Sequence, residues 1–379
     1  MRENQVEILH DVVISDNLGR DGTCAFPSTA VMKDGTLVCL YRRGQTKHSY
    51  DGVWISQRST DQGRTWSAPS VIFDRRSHQP QQSVISGGVC QTPNGSLLTV
   101  FTVVEVDKSG KYVFDGGGAQ LQCLCFIARS NDVGRSWSQA ALIEHAPRMR
   151  QGISSKPLVL KNGEIFLHGE HVLPNGVTAI FVGFSKDDGH QFGTFTDFIT
   201  DHEGKLNYCD ARFAILPEGK ILAMLWTFRQ DNEQTIDVHS SISPDFGCTW
   251  SVPRPVGKLG QITVPLAIDA GRFIAVSNYR EPLDGIRLWF SVDGGNSWLV
   301  EQPIQMWDPH QNRVVGKPIA AISDQNGSQT VWEALPGFTF GTPDIVQMPD
   351  NTLLLSYYAT ISQVIHIRAC RFRIKDGLN

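Results

Sequence analysis

Apolar and polar positions along this 379-residue chain recur in one pattern. Six times, two apolar runs flank a short turn signal: "AVMKDGTLVCLY", "VCQTPNGSLLTVF", "LVLKNGEIFLH", "AILPEGKILAML", "LAIDAGRFIAV" and "IVQMPDNTLLLSYY". Asp-Gly, Asn-Gly and similar pairs supply the positive φ that tight hairpin turns need, so each predicts a β-hairpin. After five of the six comes a third strand, such as "GVWISQRS" or "CLCFIARS", then a polar octet, then a fourth strand such as "APSVIF". No helical periodicity of any length interrupts this order.

Six units of four antiparallel strands predict an all-β, six-bladed β-propeller, read as a single domain over 1–379. The last unit has only three strands, and the N-terminal strand at about 5–15 is expected to complete blade six. A segment at about 300–341 exceeds the other connections and reads as an insertion: a functional cover, an extended outer strand or a subunit contact. Its Trp307 and Trp332 fit either stacking on a sugar or packing in the frame.

The octets are "STDQGRTWS", "SNDVGRSWS", "SPDFGCTWS" and "SVDGGNSWL", with a looser "SKDDGHQFG". In each, an Asp can accept backbone N–H groups of its own turn. A Gly provides a conformation that a β-carbon would obstruct. The closing aromatic (Trp66, Trp137, Phe192, Trp250 or Trp298) can bury its ring between sheets. Asp61, Asp132, Asp187, Asp245 and Asp293 therefore read as structural acids. The octet is the Asp-box (BNR) motif, and the whole chain resembles the sialidase superfamily of six-bladed propellers.

Composition narrows the picture further. A formal charge of −4 without a basic cluster argues against a nucleic-acid partner. No run of 18 apolar residues predicts a membrane span, and "MRENQVEILHDVV" lacks the apolar stretch of a leader. The eight cysteines lie mostly in strand-like runs without a CxxC pair, as buried free thiols would. Together these point to the cytoplasm, with a mature secreted form left open. No metal or other cofactor is expected: "HGEH" sends His168 and His171 to opposite faces of a strand.

The resemblance implies a site at one mouth of the central channel, where first strands begin and second strands end. At that common phase stand Arg43, Glu105, Glu170, His171, Arg229, Tyr279, Arg280, Asp344 and Tyr358, with His48 and Asp51 in the loop after Arg43 and Asp210 in "YCDAR". A sialidase has an Arg triad, a Tyr nucleophile activated by a Glu, and an Asp acid. Here Ala25 takes the place of the first triad Arg, Thr342 that of the Tyr, and Tyr358 that of the Glu supporting the first Arg. Asp51 falls in the loop that carries the acid, and Asp210 where the activating Glu is expected. Arg229 ends the following strand, three residues late, and Arg280 or Arg287 matches the blade-five Arg.

These departures predict an exo-acting glycoside hydrolase with a glycan substrate other than ordinary sialic acid. Its catalytic set is Asp51 as general acid, Asp210 or Glu170 as base or nucleophile, and His48 sharing proton transfer. Arg43, Arg229 and Arg280 would hold sugar hydroxyls or an acidic group. Glu105, His171, Tyr279, Asp344 and Tyr358 complete the substrate-binding set. A polysaccharide lyase built on His48, His171, Tyr208, Tyr279 and Arg229 is the second reading. A propeller that binds carbohydrate or protein without catalysis is the third, and a homo-oligomer is compatible with all three.

Overall fold

Each predicted unit folds as a four-stranded antiparallel sheet in the computed structural model, which describes residues 5–15, 22–106, 123–147, 152–153, 155–269, 271–281, 284–311, 338–361 and 364–375. In blades one to five the four strands follow one another in chain order from the axis outward. Blade six is built from Phe340–Gln347, Leu353–Ile361 and Val364–Ile374, with Val6–Val13 paired antiparallel on its outer edge. The N-terminal strand thus closes the ring. Trp332 and most of the long segment near 300–341 lie outside the described residues.

The main hydrophobic clusters sit between neighbouring sheets, where both faces of each blade are covered. Trp54, Val38 and Phe101 are buried where blade one meets blade two. Trp307 packs on Phe340 and Tyr357 between blades five and six, so it belongs to the frame. The octet aromatics wedge into the same seams: Trp66 between blades six and one, Trp250 between three and four, Trp298 between four and five.

The octet chemistry follows its sequence. Asp61 Oδ1 accepts the Thr65 N–H at 2.9 Å and the Ser59 hydroxyl at 2.8 Å, while Oδ2 accepts the Thr65 hydroxyl at 2.6 Å. Ser59 Oγ in turn accepts the Gly63 N–H at 2.9 Å. Asp132, Asp245 and Asp293 repeat the pattern, and Asp187 repeats its backbone half. Burial pushes the Asp61 carboxyl up, but these donated bonds outweigh it and hold it at about 2.

The innermost strands carry a second shared device. In blades one, two, four and six the register with the next strand slips at Ala25/Ser28, Val84/Ser86, Cys209/Arg212 and Gly341/Asp344. At three of these β-bulges a non-glycine residue takes a left-handed backbone: Phe26 at φ 59°, Asp210 at 48° and Thr342 at 44°. Such conformations cost on the order of 1–3 kcal/mol each and cluster at functional sites. A bulge re-aims the side chain at the point where it sits.

Candidate functional site

The bulges surround a cavity of about 120 Å³ on the propeller axis, to which all six blades contribute. Blade one supplies Phe26 from its bulge and Lys47 and His48 from the following loop. Blade two adds Ile85, Ser86 and Thr102. From blades three and four come Glu170, Asp210, Arg212 and Trp226. Blade five contributes Gln261, Asn278 and Arg280, and blade six Phe338, Thr342 and Tyr358.

Two carboxyl groups stand on neighbouring blades. Glu170, near the end of Ile165–Val172 and only 6% exposed, accepts the Asp210 N–H on Oε2 at 2.8 Å. That bond holds Asp210 in its left-handed conformation. Arg212 Nη2 lies 3.4 Å from Asp210 Oδ1, and its Nη1 donates to the Ala211 carbonyl at 3.1 Å. Arg212 is buried and also lines a second cavity further along the axis, so it stands between the two.

The facing wall is aromatic and cationic. Phe26 meets the rings of His48 at 5.3 Å and Tyr358 at 5.8 Å between centroids. Lys47 donates to the Phe338 carbonyl and faces the Tyr358 ring at 5.4 Å. Arg280 donates from Nε to Gln261 Oε1 at 2.8 Å and from Nη2 to the Phe340 carbonyl at 2.5 Å, with its guanidinium 3.7 Å from the Phe338 ring centroid. Burial, with Arg280 nearby, drives the Lys47 ammonium well below the usual lysine range. Burial, with Lys47 and Arg42 adding to it, drives His48 well below the usual imidazole value. Burial pushes the Tyr358 phenol up, and Arg280 opposes that shift.

Of the twelve residues expected at the site, His48, Glu170, Asp210, Arg280 and Tyr358 line this cavity. The other seven stand elsewhere. Asp51 is turned into its own loop, where it accepts the Gln45 N–H at 3.0 Å and the Ser49 hydroxyl at 2.5 Å. His171 pairs with Asp197 at 2.7 Å toward the outer edge of blade three. Tyr279 lies under Arg287 at 4.0 Å and donates to Glu281. Strand alternation explains both displacements: neighbours of Glu170 and Arg280 must point to the opposite face. Arg43 likewise alternates with Arg42, which is buried and donates to the Val84, Thr46 and Ser49 carbonyls.

Glu105 and Arg229 are exposed at the ends of Leu97–Glu105 and Ile221–Arg229; Glu105 accepts a long 3.3 Å bond from Gln82. Asp344 lines the second cavity, ion-paired with Lys156 at 2.7 Å and accepting the Thr29 N–H at 2.7 Å. His168 lines the same cavity and is lowered to about 3 by burial and by Arg212. Among the described residues no group of three or more His, Cys, Asp or Glu is placed to hold a metal.

Sequence reading missed Phe26, Lys47, Trp226 and Phe338. Phe26 escaped because the resemblance puts the family position on Ala25, whereas the bulge between Ala25 and Ser28 brings Phe26 to the cavity. Trp226 and Phe338 carried no signal that separates a cavity wall from a packed core.

The model of the BNR repeat-like domain family matches residues 35–355. No curated protein matches the chain. Among solved structures, a Dyadobacter fermentans protein of unknown function superposes with a TM-score of 0.75 at 20% identity, covering 98% of this chain and 100% of its own. A Hadza microbial sialidase gives 0.67 at 15% identity over 92% of this chain and 65% of its own. The intramolecular trans-sialidase of Ruminococcus gnavus gives 0.63 at 12% identity over 97% and 96%. With the family model spanning most of its length, the chain belongs to the BNR repeat-like domain family.

Proposed function

We propose that this protein is a glycoside hydrolase that acts on a single sugar residue held in the axial cavity, with Glu170 and Asp210 as its carboxyl pair. The observation that carries the reading is their juxtaposition, Glu170 Oε2 at 2.8 Å from the Asp210 amide, inside a cavity closed by six blades. Most glycosidases divide the work between two such groups, one donating a proton and one acting as nucleophile or base. Asp210, with Arg212 Nη2 3.4 Å from its Oδ1, takes the part of the anionic nucleophile or base. Glu170 then donates the proton, its Oε2 accepting the amide bond while Oε1 carries the hydrogen. His48, kept neutral by burial, takes no charge during the cycle at neutral pH.

Of the residues a lyase would use, His48 lines the cavity, while His171, Tyr208, Tyr279 and Arg229 are not among its described lining residues. A panel of aryl glycosides, scored for released aglycone, tests the hydrolase reading. Glu170→Gln and Asp210→Asn should each lower kcat/KM about 10²–10⁴-fold with folding retained. Full activity in both variants, or a native protein that cleaves no glycoside, overturns it.

A further inference from the structure

We infer that the cavity takes a neutral sugar ring stacked on its aromatic wall, and not a sialic or uronic acid; this rests on the reading above that the ligand is a glycan. An anionic sugar is recognised by a cation that turns its donors toward the ligand, most effectively by a guanidinium fork. Among the described residues three cations line the cavity, and each spends donors on the wall. Arg280 directs Nε to Gln261 and Nη2 to the Phe340 carbonyl, and its plane lies against Phe338. Arg212 serves Asp210 and the Ala211 carbonyl. Lys47 donates to the Phe338 carbonyl under the Tyr358 ring. Asp210, the anionic member of the carboxyl pair in the reading above, would repel a sugar carboxylate.

The same wall suits an uncharged ring. A neutral sugar has an apolar C–H face and an edge of hydroxyls. Phe26, Trp226 and Tyr358 offer apolar surface. The Trp226 indole N–H is already donated to Thr235 Oγ1 at 3.2 Å, so its contribution to the cavity is its ring alone. Phe26 is held toward the cavity by a left-handed bulge at φ 59°, a conformation that a bulky side chain rarely adopts. Glu170 and Asp210 in the same cavity offer oxygens that accept hydroxyl protons.

Titration calorimetry of the native protein with galactose, arabinose and N-acetylglucosamine, beside N-acetylneuraminic and glucuronic acids, tests this. At least one neutral sugar should bind, and both acids should bind at least tenfold more weakly. Phe26→Ala should weaken the neutral sugar about tenfold, while Phe26→Tyr, which keeps the ring, should bind within about threefold of the native protein. Preference for an acid, equal binding of both classes, or no binding of any sugar overturns the inference. So does an unchanged affinity in Phe26→Ala. Cleavage of only acidic glycosides in the aryl glycoside panel would sink the inference and leave the hydrolase reading standing. Neutral-sugar binding with no glycoside cleaved would do the reverse.

Discussion

The Lys156 ammonium and the Asp344 carboxylate meet at 2.7 Å, joining blade three to the opposite blade six across the axis. Asp344 also accepts the Thr29 N–H, and Lys156 donates to the Thr29 carbonyl at 3.1 Å, which ties in blade one. The pair is a brace at the centre of a ring whose other joints are hydrophobic seams.

Breaking one half of that brace leaves the other charge without its counter-ion in a largely buried place. Asp344→Asn should lower unfolding free energy by about 3 kcal/mol, the low end for such pairs, because 21% of the Lys156 side chain meets solvent. Adding Lys156→Met should recover part of the loss. Denaturant unfolding of the two single variants and the double variant reads the coupling, and strictly additive losses would refute the brace.

Acid should weaken the fold in two stages. His168, buried beside Arg212, is lowered to about 3, and His48 is lowered as well. The unfolded chain binds these protons near pH 6.5 and the folded protein does not, so stability present above about 6.5 declines as pH falls below it. The octet carboxyls are also lowered, Asp61 to about 2, so their contribution is present above about 4 and is lost on the way down to 2. Melting temperatures across pH 7 to 2 should show both declines, and His168→Gln should flatten the first.

Asp51 should behave as a loop fastening. Asp51→Asn keeps an acceptor for the Gln45 N–H, so kcat/KM should change less than about tenfold, against the roughly 10²-fold or larger loss expected for Glu170→Gln. Kinetics on any substrate found in the glycoside panel compares the two directly. A loss for Asp51→Asn equal to that for Glu170→Gln would return Asp51 to the machinery.

The octet aromatics should affect stability and spare the site. Trp298 is 6% exposed in the seam between blades four and five. Its replacement by Ala should cost about 3–5 kcal/mol in unfolding free energy. Sugar affinity, measured on the folded fraction at low temperature, should stay within about twofold. A selective loss of binding would contradict the frame role.

How far the site could be read from sequence differs residue by residue. Glu170, Arg280 and Tyr358 were legible because strand ends fall at a common phase in each unit. Their neighbours His171 and Tyr279 share that phase in the sequence but take the opposite face of the strand. Asp51 reads as a free acid in the sequence, whereas in the fold its own loop amides and a hydroxyl occupy it.

Hairpins, octets, strand count and ring closure followed from the chain alone, because each rests on contacts within a few residues or on a pattern repeated six times. Which side chains share the cavity was decided only by the tertiary structure. Bulges at Phe26, Asp210 and Thr342 shift the alternation by one residue, and the ring brings positions from all six blades, far apart in the chain, against one another. The direction in which Lys47, Arg212 and Arg280 turn their donors depends on carbonyls and side chains positioned by that folding, and local sequence carries no record of it.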